Sequence, residues 1–287
     1  MRRWLWLWVL TLAAQFAAAQ VTTETLFAGV THVHHSLTSP RNASVHVIVL
    51  DLNQPGLRFH LTPHGGARET VRQTTLEFLE SEHAQVAINA HFFLPYPSED
   101  REVFLVGLAA SDGDVYSDFE TPEQSYALVK DAPALNIDRE NRARIVHRGE
   151  AVDWFTAVSG SAQIVTAGRK TIPSYGGGGL TPGGPNAYSN ADSWYERLNA
   201  RTVIGLSRDA RRLVLFTVDR AGGSLGMTVG EAAEFLIANY GVWEALNLDG
   251  GGSTSLAVQG RGLLNVPSEG GSGRALGSSL AIFAGPK

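Results

Sequence analysis

Asp249 is followed by Gly250, Gly251, Gly252, Ser253 and Thr254. A carboxyl group beside a glycine run can work as an acid, a base or a nucleophile. The glycines permit positive φ and let a ligand approach the backbone closely. Their N–H groups can hold a phosphate or a sugar oxygen. Asp before Gly is also the composition of a plain turn, in which the carboxylate caps its own loop. Asp219 and Glu244 are the second and third candidate carboxyl groups in this part of the chain. Glu244 lies an odd number of residues from Asp249, so on a regular strand it faces away. Arg201, Arg220 and Arg274 carry guanidinium groups, which pair with phosphate bidentately and serve equally well in surface ion pairs. Asn89, His91 and Asn247 can orient a substrate by hydrogen bonds, and His91 can instead donate a proton.

These residues need rigid elements to hold them. Val45 to Leu50, Val86 to Ile88, Val103 to Ala110 and Tyr126 to Val129 read as strands. So do Thr202 to Leu206, Leu213 to Val218, Ala245 to Leu248, Thr254 to Val258 and Leu280 to Phe283. Thr70 with Gln73 has the spacing of a capping box and predicts a helix reaching about Glu82. Thr228 with Glu231 repeats that spacing before a helix from Val229 to Asn239, which Gly241 ends. By strand alternation Asn247 and Asp249 share a face, as do Asn89 and His91. Both pairs sit at strand ends, where a rigid sheet fixes functional loops. The segment from Ser174 to Asn186, rich in glycine with Pro182 and Pro185, predicts an irregular loop, and the aromatic residues Tyr188, Trp194 and Tyr195 follow it. Many strands and few helices predict an α+β fold: one domain with a mixed β-sheet core and a few flanking helices.

The 287 residues suffice for a sizeable core, and a net charge of −5 gives no basic footprint for nucleic acid or anionic lipid. Arg2 and Arg3 precede an apolar run from Trp4 to Ala14, and Ala17, Ala18 and Ala19 follow. That layout predicts a signal peptide over residues 1–19, and hence an exported chain, periplasmic or extracellular, whose mature form from Gln20 to Lys287 has no integral membrane span. There are no cysteines, which excludes disulfides, thiolate metal sites and a cysteine nucleophile.

Three patterns lead elsewhere and are set aside. Gly222, Ser224 and Gly226 match the spacing of a nucleophile elbow, but the last histidine is His147, so no histidine follows the serine. The glycines then serve a turn. His32 and His34 would share a strand face, yet no third metal ligand is signalled nearby, and a solvated histidine-rich strand is the simpler reading. The run Gly176 to Gly179 lacks the Lys-Ser/Thr ending of a nucleotide-binding loop.

The segments Asn89 to Phe93, Arg201 to Gly205, Val218 to Arg220, Ser224 to Thr228 and Asn247 to Ser255 form an ordered set of motifs. Each is short, but the set resembles the phosphodiester glycosidase family between about Val86 and Phe283. That family includes the enzyme that uncovers mannose 6-phosphate on lysosomal proteins, and bacterial proteins related to exopolysaccharides. Two departures stand out. Ala90 and His91 occupy positions where the family commonly has glycine, and the family's glycine between the residues matching Asp219 and Arg220 is missing.

The resemblance implies an exported hydrolase that cleaves a sugar-1-phosphodiester in an envelope or extracellular glycan. Asp249, Asp219 and His91 are its candidate catalytic residues. Asn89, Arg201, Arg220, Asn247, Gly250, Gly251, Gly252, Ser253, Thr254 and Arg274 are its candidate substrate-binding residues. A phosphodiester leaving group needs less protonation than a sugar alcohol, so cations that stabilise its charge carry much of the work. No cofactor is implied. A divalent cation such as calcium could bind carboxylates near the site, though no ligand spacing demands it. Two other functions fit the same residues: a non-catalytic glycan-binding or envelope-assembly module, and a glycosidase acting on non-phosphorylated sugars.

Overall fold

The computed structural model describes residues 17–119, 133–172 and 195–287. Most of the expected leader, the strand expected from Tyr126 to Val129, and the loop from Ser174 with Tyr188 and Trp194 lie outside them.

The largest sheet has eight strands. In spatial order they are Ala17–Phe27, Val30–Ser39, Ala43–Asp51, Arg212–Val218, Arg201–Ser207, Val242–Asn247, Ala162–Thr166 and Arg169–Lys170. A five-stranded sheet runs Gly262–Leu263, Leu256–Val258, Val86–Asn89, Ser279–Phe283 and Arg58–Leu61. A second five-stranded sheet contains Ala134–Ile137 and Thr156–Ser159, and a three-stranded one contains Glu102–Leu105. The fold is therefore mostly β, with two α-helices among the described residues: α1, Thr75–Glu82, and α2, Val229–Tyr240. No helix there is long and apolar enough to cross a membrane.

The expected mixed sheet is corrected: the pairings seen in the large sheet and in the sheet beneath it are antiparallel. The reason lies in the connections. Phe27 and Val30 are joined by a two-residue turn through Gly29, which only antiparallel neighbours can use, whereas parallel strands need long crossovers.

Alternation sorts the side chains into layers. Ile48, Leu50, Ile204, Leu206, Leu215, Leu246 and Leu248 point from the large sheet into one core, where they meet Val86, Ile88, Leu256, Leu280 and Ile282 of the five-stranded sheet. From the opposite face of the large sheet, Val45, Val47, Val203, Phe216 and Val218 pack on Val229, Ala232, Phe235 and Leu236 of α2. Phe78 and Leu79 of α1 cover Ala87, Ala257 and Ala281 on the outer face of the smaller sheet. The order is helix, sheet, sheet, helix. Strands buried on both faces read as continuous apolar runs, which is why they show so clearly in the sequence.

The caps explain the helix limits. Thr228 and Glu231 form the expected reciprocal capping box, and Gly241 closes α2 in the left-handed region at φ 60°. Arg41 adds a bidentate pair to Glu231. The expected start of α1 at Thr70 is corrected: Thr74 and Glu77 form the capping box. Thr70–Val71 is instead a short strand paired with Val103 and Glu102, and Gln73 bridges to Leu276, so the chain stays extended until Thr74. The expected strand from Val103 to Ala110 is broken into Glu102–Leu105 and Ala109–Ser111, with Gly107 at φ 91° between them.

Candidate active site

Asp249 lies two residues beyond the strand Val242–Asn247, and Asp219 one residue beyond Arg212–Val218. Both strands flank Arg201–Ser207, in registers that pair Val203 with Asn247 and Arg201 with Val218. The two aspartates therefore close the same end of the sheet, with backbones two strand spacings, about 10 Å, apart.

The turn after Asp249 is a 3-10 segment, Gly251–Ser253. Gly251 sits at φ 61°, a left-handed conformation that glycine adopts without strain. Gly252 meets a different need: a Cβ there would lie 2.3 Å from Glu269 Oε1 and 2.4 Å from Arg274 Nη2. Several loop amides are already committed. Gly250 N–H donates to Asp249 Oδ1 at 2.9 Å and Gly251 N–H to the Ala200 carbonyl at 2.8 Å. Ser253 and Thr254 N–H donate to Gly250 and Gly251 carbonyls. The positive charge available to an anion is therefore chiefly that of Arg274.

Arg274 Nη1 donates to Ser253 Oγ at 3.2 Å, and both residues lie close enough to the Asp249 carboxyl to pull its pKa down. The guanidinium lies 4.5 Å from the ring centroid of Tyr96, which is half exposed. Its outer edge is held by Glu269 through Nε and Nη2. Burial pushes the Asp249 carboxyl up to about 7, against the opposing pull of Ser253, Arg274 and the Gly250 amide.

Asp219 is fully buried. Its Oδ2 accepts from Val266 N–H at 3.2 Å, and Ser44 and Asn265 lie close enough to pull the carboxyl's pKa down. Burial pushes it, too, up to about 7. Its Oδ1 is buried with no partner among the described residues. Asn265 continues the connection, donating to the Thr254 carbonyl at 3.1 Å and accepting from Leu256 N–H at 2.7 Å.

The remaining candidates divide by where they point. Asn89 is buried under the glycine turn: its Nδ2 donates to the Asp249 carbonyl at 2.6 Å, and its Oδ1 accepts from Thr202 Oγ1 and Ser255 N–H. Thr254 Oγ1 lies 3.4 Å from the Thr202 hydroxyl. His91 is fully buried, with Nδ1 2.9 Å from Ser278 Oγ and Nε2 2.9 Å from both the Leu108 carbonyl and the Ser159 amide. Burial holds its pKa down to about 4, so the ring is neutral at pH 7. Asn247 turns to the other face of the sheet, donating to Ser161 Oγ at 2.9 Å, where Tyr195 also donates. The regular strands end at Asn247 and Asn89, so strand alternation does not extend to Asp249 and His91.

Arg201 is 2% exposed and lies on the helix side of the sheet, donating to the carbonyls of Met227 and Arg197. Burial lowers its pKa to about 10, which leaves it cationic at neutral pH. Arg220 is exposed. Glu244 lies near the start of the strand Val242–Asn247, taking hydrogen bonds from Gln163 and the Ala167 amide. Ser224 bonds the Asp219 carbonyl at 2.5 Å and Ser44 N–H at 3.0 Å, so the elbow-like spacing does serve a turn.

Sequence reasoning missed Glu269 and Tyr96. Glu269 sits five residues before Arg274 in a glycine-rich stretch, and Tyr96 lies between two prolines; those positions were the available signal. It also missed His46, which stacks between His32 and His34 with centroids 5.4 and 4.4 Å away. Among the described residues no group of three or more His, Asp or Glu side chains is arranged to hold a metal ion.

A carboxyl group poised near neutrality beside a guanidinium, on a glycine turn at a sheet end, is equipment suited to hydrolysis of an anionic glycoside. The chain belongs to the phosphodiester glycosidase family, whose sequence profile matches residues 82–283. Membership supports a glycosidase-type function. The human N-acetylglucosamine-1-phosphodiester alpha-N-acetylglucosaminidase is 42% identical over 72 residues, which are 25% of this chain and 13% of that protein. The catalytic domain of the zebrafish enzyme of that name, auto-inhibited by its pro-peptide, superposes with a TM-score of 0.60 at 17% identity, covering 95% of this chain and 85% of that one. A hypothetical protein from Synechocystis gives 0.63 at 17% identity, covering 93% and 64%. At that identity the two structures speak for the fold.

Proposed function

We propose that this chain is an exported hydrolase that cleaves the glycosidic bond of a sugar-1-phosphodiester in an envelope or extracellular glycan. One observation supports the reading: the Arg274 guanidinium bonds Ser253 on the glycine turn that follows Asp249, and both act on the Asp249 carboxyl. A departing phosphodiester is a stable anion that needs little protonation, so the chemistry asks for a cation on the leaving side and a carboxylate on the sugar side. Arg274 supplies the first and ionised Asp249 the second.

The other candidates take supporting roles. Asn89 and Thr254 fix the turn on the neighbouring sheet. Asp219 steadies Asn265 and Val266 behind it. His91, Arg201 and Asn247 hold the surrounding backbone by their buried bonds, and exposed Arg220 is free to meet an outlying part of a substrate. The leader-like residues 1–19 support export, and residues 20–287 are read as one phosphodiester glycosidase-like domain.

The test is to incubate the protein with sugar-1-phosphodiesters and aryl glycosides beside an Asp249→Asn control. Sugar release from a phosphodiester alone, lost in the control, is expected. Turnover of aryl glycosides alone would move the chain to the ordinary glycosidase reading, and glycan capture without turnover, unchanged in the control, to a binding module.

A further inference from the structure

Arg274 presents two different edges. One nitrogen, Nη1, reaches Ser253 on the turn that follows Asp249. The other edge, Nε and Nη2, is occupied by both carboxylate oxygens of Glu269. A two-oxygen fork on that edge is the arrangement a phosphate adopts on a guanidinium. The carboxylate also lies against the glycine turn itself: the missing Cβ of Gly252 is what gives Glu269 Oε1 its room.

Nothing about Glu269 binds it firmly to the core. Its side chain is about half exposed while that of Arg274 is 19% exposed, so water reaches the pair from the carboxylate side. It belongs to a segment without regular structure, in which Gly270, Gly271 and Gly273 all have positive φ. The backbone hydrogen bonds there are local: Gly270 to Pro267 and Gly273 to Gly270. Arg274 is held from elsewhere, by Ser253 and by the Tyr96 ring. Tyr96 is backed edge-on by Phe93, and Arg72 pins its loop through the Pro95 and Ser98 carbonyls. The cation is anchored and its carboxylate partner is loose.

We propose that Glu269 is a built-in competitor for the phosphate position, seated on Arg274 in the free protein and displaced by the phosphodiester of the substrate. The inference rests on the reading of Arg274 as the phosphate-binding cation. Its consequence is selectivity. A neutral glycoside has nothing to exchange for the lost ion pair, whereas a phosphodiester replaces it oxygen for oxygen. Glu269 is thus a specificity-determining residue.

Isothermal titration of the protein with inorganic phosphate and with dimethyl phosphate tests this, on the wild type and on Glu269→Gln, Glu269→Ala, Arg274→Gln and Glu140→Gln. Glu140 is an exposed carboxylate on a different turn and reports the general effect of removing one negative charge. Both Glu269 variants should bind the anions about five- to tenfold more tightly than wild type, Glu140→Gln should match wild type, and Arg274→Gln should lose binding. Equal gains in the Glu140 and Glu269 variants would overturn the proposal. So would unchanged or weaker binding in both Glu269 variants with loss in Arg274→Gln, and that result would leave the phosphate reading of Arg274 standing. Absence of saturable binding in the wild type and both Glu269 variants would overturn that reading, and this proposal with it.

Discussion

The side-chain amide of Asn89 donates to the backbone carbonyl of Asp249 at 2.6 Å, joining residues 160 apart in sequence and belonging to different sheets. The same side chain accepts from Thr202 and from the Ser255 amide. Every polar atom of Asn89 is thus used to fasten the two ends of the glycine turn to both sheets. Truncation would leave a buried carbonyl, a hydroxyl and an amide without their partner. Asn89→Ala should therefore cost about 2–4 kcal/mol in urea-induced unfolding, with activity lost even where the variant remains folded. An unchanged unfolding midpoint would show that the turn holds itself.

Asp249 carries the clearest kinetic prediction. Its carboxyl is pushed up to about 7 by burial. The sugar-side role requires the ionised form, so kcat/KM should rise as pH increases through about 7 and level off above it. A profile that falls across that interval would assign Asp249 to proton donation instead. Asp249→Asn keeps the size of the side chain and removes the charge, and about 10²–10⁴-fold of kcat should go with it. Near-normal turnover by this variant on a phosphodiester would remove Asp249 from the chemistry.

The regular elements around the site were legible because their signals are local. Thr228, Glu231 and Gly241 mark α2 by capping chemistry alone, and strands such as Arg201–Ser207 announce themselves by apolar runs buried on both faces. Asp249 and Arg274 were legible as residues of chemical promise, whereas the contact of Arg274 with Ser253 depends on a loop returning over the turn. The antiparallel order of the sheets was not legible, since pairing partners such as Val203 and Asn247 lie far apart in sequence. Nor was the fate of Arg201. A guanidinium on a strand end looks like a ligand for phosphate until the helix-side carbonyls of Met227 and Arg197 are seen around it. The strand Ala17–Phe27 escaped notice because its polar residues, such as Thr22, Thr23 and Glu24, mask the pattern, whereas its partner Val30–Ser39 was legible only around His32 and His34.

Asp219 makes its prediction through stability. In the unfolded chain an aspartate titrates near ~3.9, while burial holds the folded group at about 7. The folded state therefore keeps its proton over a range where the unfolded state has released it. That contribution to stability is fully present below about pH 4, declines as pH rises, and is gone above about 7. Asp219→Asn mimics the neutral carboxyl at every pH. It should match wild type near pH 4 and exceed it by a few kcal/mol at pH 8. Thermal unfolding at both pH values checks this, and a gap that shrinks with rising pH would mean that the carboxyl is ionised in the fold.

Two neighbouring glycines should respond differently to alanine. Gly251 adopts φ 61°, where a Cβ strains the backbone, so Gly251→Ala should lose about 1–2 kcal/mol of stability. Gly252 has no such backbone constraint. Its added Cβ would strike only the ends of two side chains, Glu269 Oε1 at 2.3 Å and Arg274 Nη2 at 2.4 Å. The Glu269 end can swing away, while Arg274 gives up part of its contact with Ser253 and Tyr96, so Gly252→Ala should unfold within about 1 kcal/mol of wild type. The displaced guanidinium would no longer meet a phosphate beside Asp249, however, and kcat/KM on a phosphodiester should fall about 10–100-fold, a loss of about 1.4–2.8 kcal/mol of transition-state stabilisation. Parallel unfolding and kinetic measurements on the two variants separate the effects. A Gly252→Ala enzyme with full activity would place the phosphate away from the Arg274 edge that faces this turn.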